Sequence, residues 1–347
     1  MKSIIDRQRG LSLVELLVAL ALSAVLATGL YRIVLANQQS MALTDTYARA
    51  QEAARSALDL LQFDMRMAGF QGCVNDITSV NNGLATNPAT GYDPLLHDFA
   101  VPIQVFDNYD PLVNPSIAGV QPAAGTDVFI SRAAISSDLY VAKTPATTAA
   151  ALQVAGPLAQ LKAIKEGSVV MVSDCENADI FAVSGLTGPA SRQLLHNTNV
   201  SDGPNNAGIA LAEQYAHGSQ ILLMNTVAYF VAPSQLVKTA DGTAVNSLYR
   251  VSAVDGGTAM ELVPYIDDMQ LRYGVDTDNS GSPDTYLTGQ QILSSGLDMA
   301  SDVYAVHIEL TVITEQSCPA GSSGNQGCLQ PKRYQSLVYI RNSTGGV

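Results

Sequence analysis

One carboxylate, Glu15, interrupts an otherwise apolar run from Leu11 to about Tyr31, and no other feature of the sequence restricts the chain so tightly. Those residues form a helix about 32 Å long at ~1.5 Å per residue, enough to cross the hydrocarbon core of a bilayer. The preceding segment, MKSIIDRQRG, carries Lys2, Arg7 and Arg9 against Asp6 alone. Such a flank stays on the cytoplasmic side while the remainder is exported. An acid within the core costs on the order of 2.5–3.5 kcal/mol on insertion scales. The leucines and valines from Leu16 to Leu30 return roughly 3 kcal/mol, taking about 0.4 kcal/mol each. Glu15 therefore offsets much of the insertion energy, moderated by its place near the interface. A secretory signal cleaved among the small residues at Ala19–Ala24 has no use for it, nor has a plain anchor. A charge kept at that cost needs a partner.

The stretch Gly10-Leu11-Ser12-Leu13-Val14-Glu15-Leu16-Leu17-Val18-Ala19-Leu20 resembles the class III signal of type IV prepilins and pseudopilins. The resemblance implies cleavage after Gly10 by a membrane-embedded prepilin peptidase and N-methylation of Leu11, which stands where phenylalanine is usual. It also implies that Glu15 pairs with the N-terminal amine of a neighbouring subunit. A carboxylate and an ammonium that are both bare in lipid each gain by that meeting.

Residues 37–68 contain neither proline nor glycine, and Tyr47, Ala50, Ala54, Ala57, Leu61, Met65 and Ala68 recur at steps of three and four. That spacing predicts one apolar helical face, so the membrane helix continues as an amphipathic helix ending near Gly69. Gly29 is expected to loosen it locally. The chain thus divides into a leader (1–10), a helix (11–69, with 11–31 membrane-spanning) and a head (70–347).

In the head, residues 76–126 are rich in Asn, Pro, Gly and Asp, with turn signals NNG, GYDP and NYDP. They read as a long, weakly regular insertion over the head surface, and PATTAAALQVAG at 145–156 reads similarly. Strand candidates lie at 127–133, 168–174, 221–232, 247–253 and 269–275. The clearest pair, 303–314 and 334–342, forms an expected antiparallel hairpin, with Val303, Ala305, Ile308, Leu310 and Val312 on one side and His307 and Glu309 on the other. The class is α+β: a transmembrane, then amphipathic, helix packed on a mainly antiparallel β-sheet head with long loop insertions.

Cys73, Cys175, Cys318 and Cys328 show no CxxC spacing, which favours two disulfides over a zinc site. A bridge from Cys318 to Cys328 would staple the hairpin loop and leave Cys73 for Cys175; spacing alone leaves the connectivity open. Disulfides place the head in an oxidising compartment. The net charge of −13 argues against direct nucleic-acid binding.

The segments MRMAGFQGC, SDC, LRYGVDTDNSGSPDTY and KRYQSLVYIRN resemble the PilW group of minor pilins, leaving 76–126 and 145–165 uncovered. The resemblance implies a low-copy subunit that primes filament assembly with other minor pilins and the major pilin, at or near the tip beside a large adhesin. It implies an inner-membrane precursor with a periplasmic head, then surface pili that serve adhesion and twitching motility. A J-type minor pseudopilin of type II secretion shares these features.

No cofactor is expected, save that Asp276, Asp278, Ser280 and Asp284 fall at calcium-loop spacing with Gly281 for the turn. Position twelve is Leu287 rather than a bidentate glutamate, so an acidic turn held by Asx hydrogen bonds competes with calcium. His97, His196, His217 and His307 are scattered, and HExxH, GxSxG and Walker motifs are missing, so no enzyme is expected. A membrane-tethered binding module or hydrolase is the rival from another class, and it would not need the peptidase.

Overall fold

The structure, a computed structural model, describes residues 12–74, 77–238, 242, 244–278, 280–299, 301–316 and 328–341. The chain divides into two compact units, residues 1–51 with 314–330 and residues 52–313 with 331–347. The first is dominated by the early turns of one helix, Leu13–Arg66, which passes through Gly29 without a break. The glycine does not interrupt the helix, because about 1 kcal/mol at one residue is small beside the propensity of the Leu- and Ala-rich turns around it. This stretch is long and apolar enough to cross a membrane, and its leucines and valines are exposed.

In the second unit the same helix buries Ala54, Ala57, Leu61 and Met65, with Ala68 in the turn that follows. The chain leaves the helix at Gly69, which takes the left-handed conformation and donates its N–H to the Arg132 carbonyl at 3.1 Å.

The head is built on the long strand Gln220–Lys238. Along one side it pairs antiparallel with Val128–Lys143. On the other side its first residues pair with Val169–Ser173, and its later ones with Ala244–Ser252, which Ala259–Pro264 flanks. Beyond Val169–Ser173 lie Ala178–Ala182 and then Val80–Asn82, the latter pairing parallel. Leu152–Ala155, Gln193–Leu195 and Gly185–Thr187 extend the opposite side, completing an eleven-stranded sheet with Ile103–Phe106. A second, four-stranded sheet runs Thr285–Leu287, Ile266–Val275, Val303–Gln316 and Cys328–Tyr339. The expected hairpin is its last pair: Ile340 N–H meets the Tyr304 carbonyl at 2.9 Å while Gln335 reaches Glu309 at 2.6 Å, an antiparallel progression. All the strand candidates are strands, several longer than the sequence signals implied.

Asp127 joins the two sheets. Its N–H donates to the Met269 carbonyl at 2.8 Å, and its carboxylate accepts from Asn108 N at 2.8 Å and Leu271 N at 2.7 Å.

The reading of 76–126 as a surface insertion needs correction. Tyr92, Phe99, Ile103, Tyr109 and Ile117 are all buried, and they fill the core with residues of the large sheet. The organiser is Arg132, which is 2% exposed. Its guanidinium donates to the carbonyls of Val101 (2.7 Å), Pro94 (3.0 Å) and Leu95 (2.8 Å) and to Gln104 Oε1 (2.8 Å). Burial lowers its pKa to about 10, against the opposing pull of Asp98 and Tyr92. The segment 145–156 likewise contains a buried strand, with Leu152 and Val154 in the core.

Candidate assembly site

Glu15 stands in the first turn of the helix, where the exposed N–H groups favour an acid. Among the described residues it has no hydrogen-bond or ion-pair partner, and its neighbours Leu13, Val14, Leu16 and Leu17 are exposed. Gly10 and Leu11 lie outside the described residues.

The helix is fastened to the head by a charged group that the sequence reading missed. Asp64 Oδ2 accepts from Tyr229 Oη at 2.7 Å and from Arg250 Nε at 3.0 Å. Arg250 also reaches Asp255 at 3.4 Å, and its guanidinium lies 6.0 Å from the Tyr229 ring centre. The Arg250 and Asp64 side chains are only 22% and 14% exposed. Burial, reinforced by Asp64, raises the Tyr229 pKa, so the phenol stays a donor. Burial alone would lower Arg250, but Asp64 and Tyr229 together outweigh it and make the guanidinium more basic than usual. The signal was present: an acid beside Leu61 and Met65 on the buried helical face, and an arginine within the apolar strand SLYRVSA.

A second fastening follows the helix directly. Cys73 and Cys175 are joined by a disulfide across 102 residues, as the sequence allowed. Cys175 sits at φ 79°, in the left-handed region, at the turn between Val169–Ser173 and Ala178–Ala182. Cys318 lies outside the described residues, as does the Cys328 side chain, and with them the second bridge.

At the acidic loop, oxygens of Asp276, Asp278 and Asp284 lie within 4.8 Å of one another. Asp276 accepts from the N–H groups of Ser280 (3.0 Å) and Gly281 (2.6 Å), and Asp278 accepts from Ser280 at 3.1 Å. Asp284 accepts from both the N–H and the hydroxyl of Thr277. Ser280 directs its hydroxyl to Ser282. Leu287 ends a short strand and supplies no ligand. Three converging hard oxygens suit a divalent cation, and the same hydrogen bonds hold the turn by themselves.

The histidines stand apart. His97 Nδ1 accepts from Asp93 N, and burial lowers its pKa. His196 is buried against Phe181 and meets the Ala150 carbonyl. His217 packs on Tyr140, and His307 sits across from Arg272 beside Tyr286.

Residues 5–31 match the prokaryotic N-terminal methylation motif, and residues 229–341 match the model of type IV pilus-assembly protein W, PilW. Both matches are to pilin-type sequences, one at the N-terminal helix and one over the last third of the chain. The PilW match takes in Tyr229, Arg250 and the acidic loop, whereas Asp64, the disulfide and residues 76–126 fall outside it. No curated protein and no solved structure matches the chain. The methylation motif and the long apolar helix fit membrane anchoring and processing by prepilin peptidase, and the family matched at residues 229–341 is one of pilus-assembly proteins.

Proposed function

We propose that the chain is a low-copy minor pilin, cut between Gly10 and Leu11, methylated on Leu11, and incorporated at or near the pilus tip, where it helps to initiate assembly. The precursor sits in the inner membrane with its head in the periplasm. Other minor pilins, the major pilin and a tip adhesin are its partners, and twitching and adhesion are downstream outputs. One observation carries this reading: an acid without a partner among the described residues, in the first turn of an exposed apolar helix, five residues beyond Gly10. The amine released at Leu11 of a neighbour is the counter-ion that the position lacks.

Mass spectrometry of sheared surface filaments tests it. The mature chain should begin at methylated Leu11; any other N-terminus, or recovery of the chain only as an unassembled protein, refutes the proposal. The J-type pseudopilin reading is distinguished by gene neighbours, a tip adhesin and minor pilins against secretion-channel genes. The loop of Asp276, Asp278, Ser280 and Asp284 is proposed to take calcium in a purely structural role.

A further inference from the structure

An apolar cleft of about 700 Å³ opens in the head between the segment 101–114 and the short helix Gly289–Ser295 with its continuation to Met299. Val105 and the helix meet closely: a Cβ added at Gly289 would lie 2.5 Å from Val105 Cγ2, so the two walls are fitted to each other. At the mouth, Leu293 is 65% exposed. Beside it a tight turn displays Leu112 and Val113, which are 93% and 78% exposed.

That turn is built, not loose. Asp110 and Asn114 hold it mutually: Asp110 N–H donates to Asn114 Oδ1 at 2.9 Å, and Leu112 N–H to Asp110 Oδ1 at 2.9 Å. Tyr109, 1% exposed, anchors it from below by donating to the Pro115 carbonyl at 2.9 Å, and Gln121 donates to the Tyr109 oxygen at 2.7 Å. A turn that holds two large aliphatic side chains in water is already ordered for contact, so little conformational entropy is lost when they are covered.

Charge narrows the occupant. Asp107, Asp110 and Asp298 are among the lining residues, and no Lys, Arg or His is. Asp107 also serves the helix, accepting Gln290 N–H at 3.0 Å. We propose that this cleft and the Leu112–Val113 ridge form a docking surface for a segment of another protein that inserts apolar side chains and carries lysine or arginine beside them. One wall comes from residues matched by the PilW model and the other from residues outside it.

The test places a benzophenone amino acid at Leu293, and separately at Val113, in the full-length chain in cells. A third position, Leu236, which is exposed elsewhere on the head, serves as control. After irradiation the adducts are mapped to the residue. Adducts at 293 and 113, absent at 236, that fall on another protein's apolar segment within about one helical turn of Lys or Arg support the proposal, provided that Asp110→Lys reduces them at least fivefold while yield and proteolytic resistance of the head are unchanged. Should Asp110→Lys disturb the turn, Leu293→Lys, on the opposite wall, must reduce the Val113 adduct instead. The proposal is overturned by adducts on a second copy of this chain, by adducts on acidic or uncharged segments, by indifference to both charge changes, or by labelling no greater than at the control. None of these results depends on where the N-terminus is cut, so failure here leaves the pilin reading standing.

Discussion

Removing the Cys73–Cys175 bridge should cost the head about 4.7 kcal/mol. The figure follows from the separation of 102 residues: in the loop-entropy model, cross-linking removes about 2.1 + 1.5R ln n cal/mol/K from the unfolded chain. Cys175 adds a second, smaller effect. Its φ of 79° is unfavourable for a residue with a Cβ, by roughly 1 kcal/mol. The variant Cys73→Ala/Cys175→Ala keeps that strain and should show the full loss. Cys73→Ala/Cys175→Gly relieves it and should lose about 1 kcal/mol less. Guanidinium unfolding of the detergent-solubilised chain provides the assay, followed by far-UV circular dichroism and by tyrosine fluorescence, since the chain has 14 tyrosines and no tryptophan. A loss under about 2 kcal/mol for the alanine pair, at unchanged m-value, would refute the entropic reasoning. Glycine doing worse than alanine at 175 would refute the strain assignment.

Four further outcomes are expected. Burial raises Asp127 from 3.8 to about 7, against the N–H donors of Asn108 and Leu271. The folded state then holds this proton more tightly than the unfolded one, so its contribution to stability is full below about pH 4 and declines up to about pH 7. Asp127→Asn should flatten that slope in a pH series of unfolding midpoints, while lowering stability overall because one N–H loses its acceptor. Arg250→Met leaves Asp64 partly buried with only Tyr229 and should cost about 2 kcal/mol in urea; a change under 0.5 kcal/mol would remove the latch from the account. Glu15→Ala should still be cleaved but be depleted from sheared filaments, as immunoblots of cell and filament fractions would show; undiminished recovery counts against amine pairing. Calcium should release heat on titration into the chain, and Asp276→Asn with Asp278→Asn should abolish it; a flat titration of the unaltered chain retires the calcium site.

The helix and the strands were legible because their burial is periodic. Ala54, Ala57, Leu61 and Met65 repeat at helical steps, and Val303, Ala305, Ile308, Leu310 and Val312 follow the strand pattern apart from one slip in phase. That slip has a cause. Val306 is buried as well, and the pairing with Ile266–Val275 shifts register at Gly274/Val275. What escaped the sequence was burial without a period. Tyr92, Phe99, Tyr109 and Ile117 are isolated among turn residues, and the stretch from Pro94 to Gln104 is held by an arginine whose bonds go to three backbone carbonyls and an amide oxygen rather than to any acid. A lone basic residue in a strand reads as exposed, because only the fold can supply the carbonyls that make its burial tolerable. The latch was hidden for the same reason. Asp64 and Arg250 are 186 residues apart, and no local pattern pairs them.

The covalent link just past the helix also sets how far the chain can be drawn out. Traction applied at the N-terminus and resisted at the C-terminus passes from residue 73 to residue 175 through sulfur, bypassing everything between. At ~3.4 Å per extended residue, about 350 Å of contour is withheld from stretching while the bridge is intact. Reduction releases that contour, so the reduced chain can be drawn out about 350 Å further than the oxidised one.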